Sequence, residues 1–104
     1  MHYGKSREGA DEVVAAIEKL GRKADAIQAD LSTKDCGKLI FEGVEKSSFG
    51  GGRIDILVHN GAVSFNKELS EIDIDVDYTL QMDINVRSVI ILTQVSCFLN
   101  AAIR

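Results

Sequence analysis

Apolar and polar positions along the chain switch period several times. From Ser6 or Arg7 to Leu20, the residues Ala10, Val13, Val14, Ile17 and Leu20 recur at three- and four-residue spacing, while Glu8, Glu12, Glu18 and Lys19 fall on the other side. This predicts an amphipathic helix with those five residues inward, ended by Gly21. "KADAIQAD", Lys23 to Asp30, is short and partly apolar. It predicts a strand that stops at Asp30-Leu31, with Ser32 placed to cap the next helix. That helix is expected from about Thr33 to Ser48, with Cys36, Leu39, Ile40 and Val44 inward. "FGGGR", Phe49 to Arg53, reads as a glycine-rich turn, and "IDILV" within Ile54 to His59 as a parallel strand covered on both faces. After a loop of mixed polarity to about Asp75, a long helix is expected through Tyr78, Met82, Val86, Val89, Ile90, Val95 and Phe98 to about Ala101.

Alternating helices and strands at this spacing predict an α/β fold, a doubly wound parallel sheet of three layers, because parallel neighbours need crossover helices. Only Met1-His2-Tyr3 precedes the first helix, so the expected architecture is a single partial Rossmann-like domain over residues 1–104, truncated at both ends. The 104 residues are 45% hydrophobic, enough for a small core. A net charge of −4, with both signs mixed along the chain, excludes nucleic acid and an anionic membrane as partners. Cys36 and Cys97 are too far apart for a metal-binding or redox pair and read as buried thiols of a reducing compartment. His2 and His59 are equally separated, so no metal site is expected. The N-terminus lacks a targeting pattern, and no run approaches bilayer length. The expected location is the cytoplasm.

In an open parallel sheet, ligands bind outside the carboxyl ends of the strands. Three such ends occur here: Tyr3 to Arg7, Ala29-Asp30-Leu31, and His59-Asn60-Gly61-Ala62. The small residues of the third let a flat ligand approach the backbone, and Asn60 supplies both a donor and an acceptor.

On these residues the chain resembles the middle of a short-chain dehydrogenase/reductase, in particular fungal ketone and naphthol reductases and 3-oxoacyl carrier-protein reductases. "HYGKSREGADEVVAAIEKLGRKADAIQADLS", "RIDILVHNGAVSF" and "MDINVRSVIILTQ" match family segments in order and spacing. The resemblance implies a single-domain Rossmann fold and hydride transfer between nicotinamide and a small carbonyl or alcohol substrate. It implies that Asp30 accepts from the adenine amino group with the Leu31 backbone beside it, and that Asn60, Gly61 and Ala62 lie along the adenine-side ribose. It also implies that Asn85 interrupts its helix, positions a water and joins a proton relay, and that the chain is a homo-oligomer through the 78–100 helix. His59 and the order Gly61-Ala62 depart from the family's Asn-Asn-Ala-Gly.

The cofactor preference follows from charge. A carboxylate at the end of the second strand selects NAD, and no acid precedes Glu8. Tyr3, Lys5, Ser6 and Arg7, at a helix N-terminus, instead suit the 2′-phosphate of NADP(H).

Two family motifs have no match: the G-x-x-x-G-x-G phosphate loop and the Tyr-x-x-x-Lys pair, since Tyr3 is followed four on by Arg7 and Tyr78 by Met82. The chain is therefore expected to be an inactive internal fragment when isolated. The alternative is a non-enzymatic α/β nucleotide-binding or dimerisation module. A phosphoryl-receiver domain is disfavoured because Asp30 lacks the clustered acids such chemistry needs.

Overall fold

The structure, a computed structural model, describes residues 1–48 and 53–102, with side chains through Asn100. Strand β1 (His2–Tyr3) pairs in parallel with β2 (Ile27–Gln28), His2 opposite Ile27 and Tyr3 opposite Gln28. Parallel neighbours cannot be joined by a tight turn, and helix α1 (Arg7–Lys19) is the crossover. The Ser6 hydroxyl caps it by accepting from the Gly9 N–H at 3.3 Å. Gly21, at φ 72°, takes the left-handed turn that ends it, as expected for a C′ glycine.

Helix α2 (Cys36–Glu45) follows. It starts later than predicted because Ser32 does not cap it: the Ser32 N–H and hydroxyl both donate to Asp30 Oδ1, at 2.9 and 2.7 Å, tightening the turn after β2. Two glycines let α2 sit close to its neighbours. A Cβ on Gly37 would lie 2.4 Å from Ile91 Cγ2, and one on Gly43 2.6 Å from Ile27 Cγ2. Glycine is thus required where α2 meets the long C-terminal helix and where it meets β2.

Several predicted core positions are not in the core. Val13 and Leu39 are exposed, and so is Leu20, whose place beside the Gly21 turn leaves nothing to cover it. Cys36 is fully buried, but Cys97 is exposed, correcting the reading of both as buried; both are free thiols.

The strand predicted over Ile54–His59 does not join the sheet. Among the described residues it forms no ladder, and the sheet has two strands. Nor is it covered on both faces, since Ile56 is 83% and Val58 75% exposed. Asparagine and threonine side chains hold it instead. Asn100 Oδ1 accepts from the Ile54 N–H at 3.3 Å while its Nδ2 donates to the Ile54 C=O at 2.8 Å. Asn85 grips Val63 the same way, at 2.9 and 2.7 Å. Between them the Thr93 hydroxyl gives its proton to the Val89 C=O at 2.7 Å, so it accepts from His59 Nε2–H at 3.0 Å. Positions 85, 93 and 100 are spaced by seven and eight, about two turns, so they share one face of a helix. The glycine turn predicted at 49–53 lies, for residues 49–52, outside the described residues.

Beyond a 3₁₀ turn at Leu69–Glu71, the long helix begins at Ile74, earlier than predicted. It comprises a π turn (Ile74–Tyr78), α3 (Thr79–Met82), a second π turn (Asp83–Arg87) and α4 (Ser88–Ala102). The Asp73 carboxylate accepts from the Asp75 and Val76 N–H groups, and Asp77 reaches back to the Asp73 N–H at 3.0 Å. This reciprocal capping fixes the start. Over Ile74–Asn100 the helix is long and apolar enough to cross a membrane by length and composition. That corrects the reading that no run approaches bilayer length.

The architecture is an α/β parallel sheet flanked by helices, with α2 packed on α4 and on β2 and α1 on β1. It is a plate, 49 × 34 × 18 Å, with a radius of gyration of 15.7 Å against about 13 Å for a 100-residue domain. Such a plate has little interior, and the buried apolar residues are few: Tyr3, Ala10, Ala29, Cys36 and Leu99.

Candidate functional site

The predicted residues fall at the carboxyl ends of the extended segments, in three groups. At the end of β1, Lys5 and Ser6 are exposed, whereas Tyr3 is buried. The Tyr3 hydroxyl accepts from Arg7 at 3.3 Å, and the guanidinium lies 5.9 Å from the Tyr3 ring centre. Arg7 also donates to both Asp11 oxygens at 2.9 Å. That carboxylate, and then Tyr3, hold the guanidinium pKa above its ordinary value. Tyr3 and Arg7 thus form a support, and Lys5 is the cation of this group that makes no ion pair among the described residues.

The second group brings the ends of β2 and the 54–59 segment together. Leu31, Asn60 and Gly61 line one cavity of about 780 Å³, within the usual range for small-molecule sites. A Cβ on Gly61 would lie 2.7 Å from Leu31 Cδ1, so the two loops touch where a larger residue would push them apart. Ala62 is exposed beside them. Asp30 is exposed just outside, its Oδ1 occupied by Ser32 and its Oδ2 without a hydrogen bond among the described residues. Ser32's hydroxyl first, and its N–H second, hold the Asp30 carboxyl below the ordinary carboxylate value, so it is an anion at neutral pH.

Asn85 forms the third group. It sits in the π turn Asp83–Arg87, where the regular i→i−4 ladder is interrupted. Its amide is engaged by Val63, next to Ala62, so Asn85 fixes the loop that carries Asn60 to Ala62. The sequence reading missed four residues here. Arg87 donates to the Ser32 carbonyl and pairs with Asp83 at 2.5 Å, tying the loop after β2 to the π turn. Lys67 pairs with the buried Asp77 at 2.6 Å, and this contact, then the Asp73 N–H, depresses the Asp77 pKa. Thr93 and Asn100, the other grips on the 54–63 segment, were legible only as polar residues in an apolar helix.

The resemblance to short-chain dehydrogenases implies a nicotinamide dinucleotide, and the donor set can be compared with that group. A lysine without an ion pair, a capped helix start and no acid before Glu8 suit a phosphate. An ionised Asp30 with one open oxygen suits an amino donor. Gly61 and Ala62 leave room for a ribose against the backbone. The residues present could therefore hold the adenine half of NADP(H).

A family model described as short chain dehydrogenase matches residues 1–99. An uncharacterised oxidoreductase of Methylorubrum extorquens is 35% identical over 94 residues, which cover 90% of this chain and 36% of that protein. The hydroxynaphthalene reductase arp2 of Aspergillus fumigatus is 36% identical over 88 residues, 85% of this chain and 31% of the enzyme. The chain thus spans about a third of the length of these relatives. A short chain dehydrogenase from Burkholderia cenocepacia, solved in complex with NADP, superposes with a TM-score of 0.81 at 38% identity, over 92% of this chain and 38% of that one. With nearly its whole length matched by the family model, the chain belongs to the short chain dehydrogenase family.

Proposed function

We propose that residues 1–104 carry the adenine-binding middle of an NADP(H)-dependent oxidoreductase. The complete enzyme moves a hydride between nicotinamide and a carbonyl or alcohol: a carbonyl takes up hydride and a proton as NADPH becomes NADP⁺, or the reverse. The observation that carries this reading is the convergence of Leu31, Asn60 and Gly61 on one cavity, with Asp30 at its rim and Asn85 holding the adjoining loop. The NADP in the Burkholderia cenocepacia relative supports the choice of cofactor.

The bound dinucleotide would supply the hydride. Lys5 and Ser6 hold the 2′-phosphate, with Tyr3 as the platform that sets Arg7 beside them. Asp30 accepts from the adenine amino group, next to the Leu31 backbone, and Asn60, Gly61 and Ala62 line the ribose. Asn85 is the one residue here near the reaction: the π turn frees backbone acceptors at which a water of the proton relay can sit. The chain lacks the glycine loop and the Tyr-x-x-x-Lys pair. Alone it therefore binds weakly and turns nothing over. It is a cytoplasmic, single-domain fragment in this reading.

Calorimetric titration of the 104-residue chain with NADPH and with NADH tests this. NADPH is expected to bind more tightly, and Lys5→Glu to remove the difference by repelling the 2′-phosphate. Equal or tighter binding of NADH would overturn the reading.

A second reading, assembly of copies through the 78–100 helix, is favoured by the exposed Met82, Val86, Ile90 and Phe98 along it. Sedimentation analysis of the chain and of Ile90→Lys checks it: a dimer that the substitution dissolves supports it, and a monomer at all concentrations rejects it.

A further inference from the structure

Arg87 sits where the loop after β2 meets the second π turn of the long helix. Its side chain is only 32% exposed, and the guanidinium is divided between two partners. Nη1 pairs with Asp83 at 2.5 Å, four residues back on the same helix, and Nη2 donates to the Ser32 carbonyl, 55 positions away. Nε is buried and makes no hydrogen bond among the described residues. An unpaired buried N–H is costly, so the guanidinium is placed by its two outer nitrogens, not by surroundings that suit all of it. Its charge also reaches the start of α2: burial pushes the Cys36 thiol pKa up, and the Gly37 N–H and then the Arg87 cation act against that rise.

The loop that receives this bond has few others. From Asp30 to Asp35 the remaining hydrogen bonds are local: Ser32 and Thr33 both fold back onto Asp30, and Asp35 begins α2 without a side-chain cap. Among the described residues, Arg87 is the sole hydrogen-bond donor to this loop from elsewhere in the fold. At the other end, the π turn lacks the regular i→i−4 ladder, and the Arg87–Asp83 pair ties its last residue to its first. Asn85 lies midway and grips the Val63 N–H and C=O. The links therefore run unbroken from the Asp30 carboxylate to Ser32, from the Ser32 carbonyl to Arg87, and from Arg87 through the π turn to Asn85 and Val63. Contiguous contacts of this kind can carry coupling between two sites.

We propose that Arg87 is a positioning residue whose guanidinium bridges the Asp30 loop to the Asn85 turn, so that a change at Asp30 is passed to Asn85 and Val63. The bridge itself is a property of the chain alone. Its purpose rests on the nucleotide reading above: adenine captured at Asp30 steadies the Asn85 end of the site, with Arg87 touching neither the adenine nor the reacting atoms. A rigid two-pronged donor is needed to hold both partners at once. Lysine at this position keeps the i,i+4 ion pair with Asp83 as a point charge and loses the fork.

The test is a double-mutant cycle on the 104-residue chain without ligand, read by amide exchange at Val63. Asp30→Ala frees Ser32 and is expected to speed Val63 exchange about threefold when Arg87 is present, and to leave it unchanged in an Arg87→Lys background. Arg87→Lys is chosen because it retains the charge and the helix ion pair, so a role in charge or folding alone would be rescued by it. Equal speeding in both backgrounds, or none in either, would overturn the proposal. A second arm adds adenosine 2′,5′-bisphosphate and follows NMR shifts. In the parent, the Asp30 and Leu31 amides and the Asn85 side-chain amide are expected to move on one binding curve; in Arg87→Lys only the first two should move. An Asn85 signal that stays still in the parent while Asp30 and Leu31 move, or that moves equally in Arg87→Lys, would overturn the bridge. No shift at Asp30 and Leu31 in either chain would reject the nucleotide reading instead, and the ligand-free cycle decides Arg87 independently of it.

Discussion

The two halves of the molecule satisfy an extended backbone in different ways. At β1 and β2 the backbone bonds to backbone, and the pair is seated under α1 and α2. From Ile54 to Val63 the backbone bonds to side chains of the long helix: Asn100 at one end, Asn85 at the other, Thr93 on His59 between them. The first arrangement depends on close packing, and the second on three polar residues on one helix face. An extended segment can thus be held without strand pairing, provided a helix offers amides that imitate a peptide group.

The packed half should be the more fragile toward volume. Gly37→Val drives atoms into Ile91 and Val95, where a Cβ alone already sits at 2.4 and 3.2 Å. It should cost about 3 kcal/mol, measured by denaturant unfolding. The clasped half should instead be sensitive to polarity. Asn100→Leu strips both partners from the half-buried Ile54 backbone and should cost about 2 kcal/mol of local opening, read by amide exchange at Ile54. Asn85→Leu, at an exposed site, should cost about 1 kcal/mol at Val63. If Gly37→Val loosened 54–63 as much as α2, the two halves would not be distinct.

Much of the first half was legible in the sequence. The helix from Ser6 or Arg7, the Gly21 stop and a strand shortly before Asp30 all rest on local chemistry, which acts within a few residues; the Ser6 cap was not foreseen, and the cap expected at Ser32 does not form. What failed did so for want of neighbours. "IDILV" has the composition of a covered strand, but composition does not say whether an adjacent strand is there to pair with. Leu20, Val13 and Leu39 lie on the apolar faces of their helices, yet a plate 18 Å thick has too little interior to take them. The candidate site was legible as three strand ends. That Asn85 and Asn100 act as paired grips was not, because nothing local marks a helix asparagine as the partner of a residue 22 or 46 positions away.

Acid should separate the halves further. Asp77, paired with Lys67, and Asp30, bonded to Ser32, both titrate in the fold below the ordinary carboxylate value of 3.8. A carboxyl depressed on folding stabilises above its unfolded pKa, and that contribution is lost as pH falls through the folded one. Stability should therefore decline below about pH 4, and Asp77→Asn should flatten the decline when unfolding is followed against pH. The smallest effects are expected at Val13→Gln and Leu20→Gln, within about 0.5 kcal/mol of the parent in thermal unfolding, since both side chains already face water.

The central claim is that the ends of β1, β2 and the clasped segment form one nucleotide-facing edge. Mapping amide NMR shifts of the 104-residue chain during an NADPH titration tests it most directly. The account predicts that shifts concentrate at Lys5–Arg7, Asp30–Leu31 and Asn60–Ala62 and move together with one binding curve. Shifts confined to one of these groups, or scattered over the exposed face of the long helix, would contradict it.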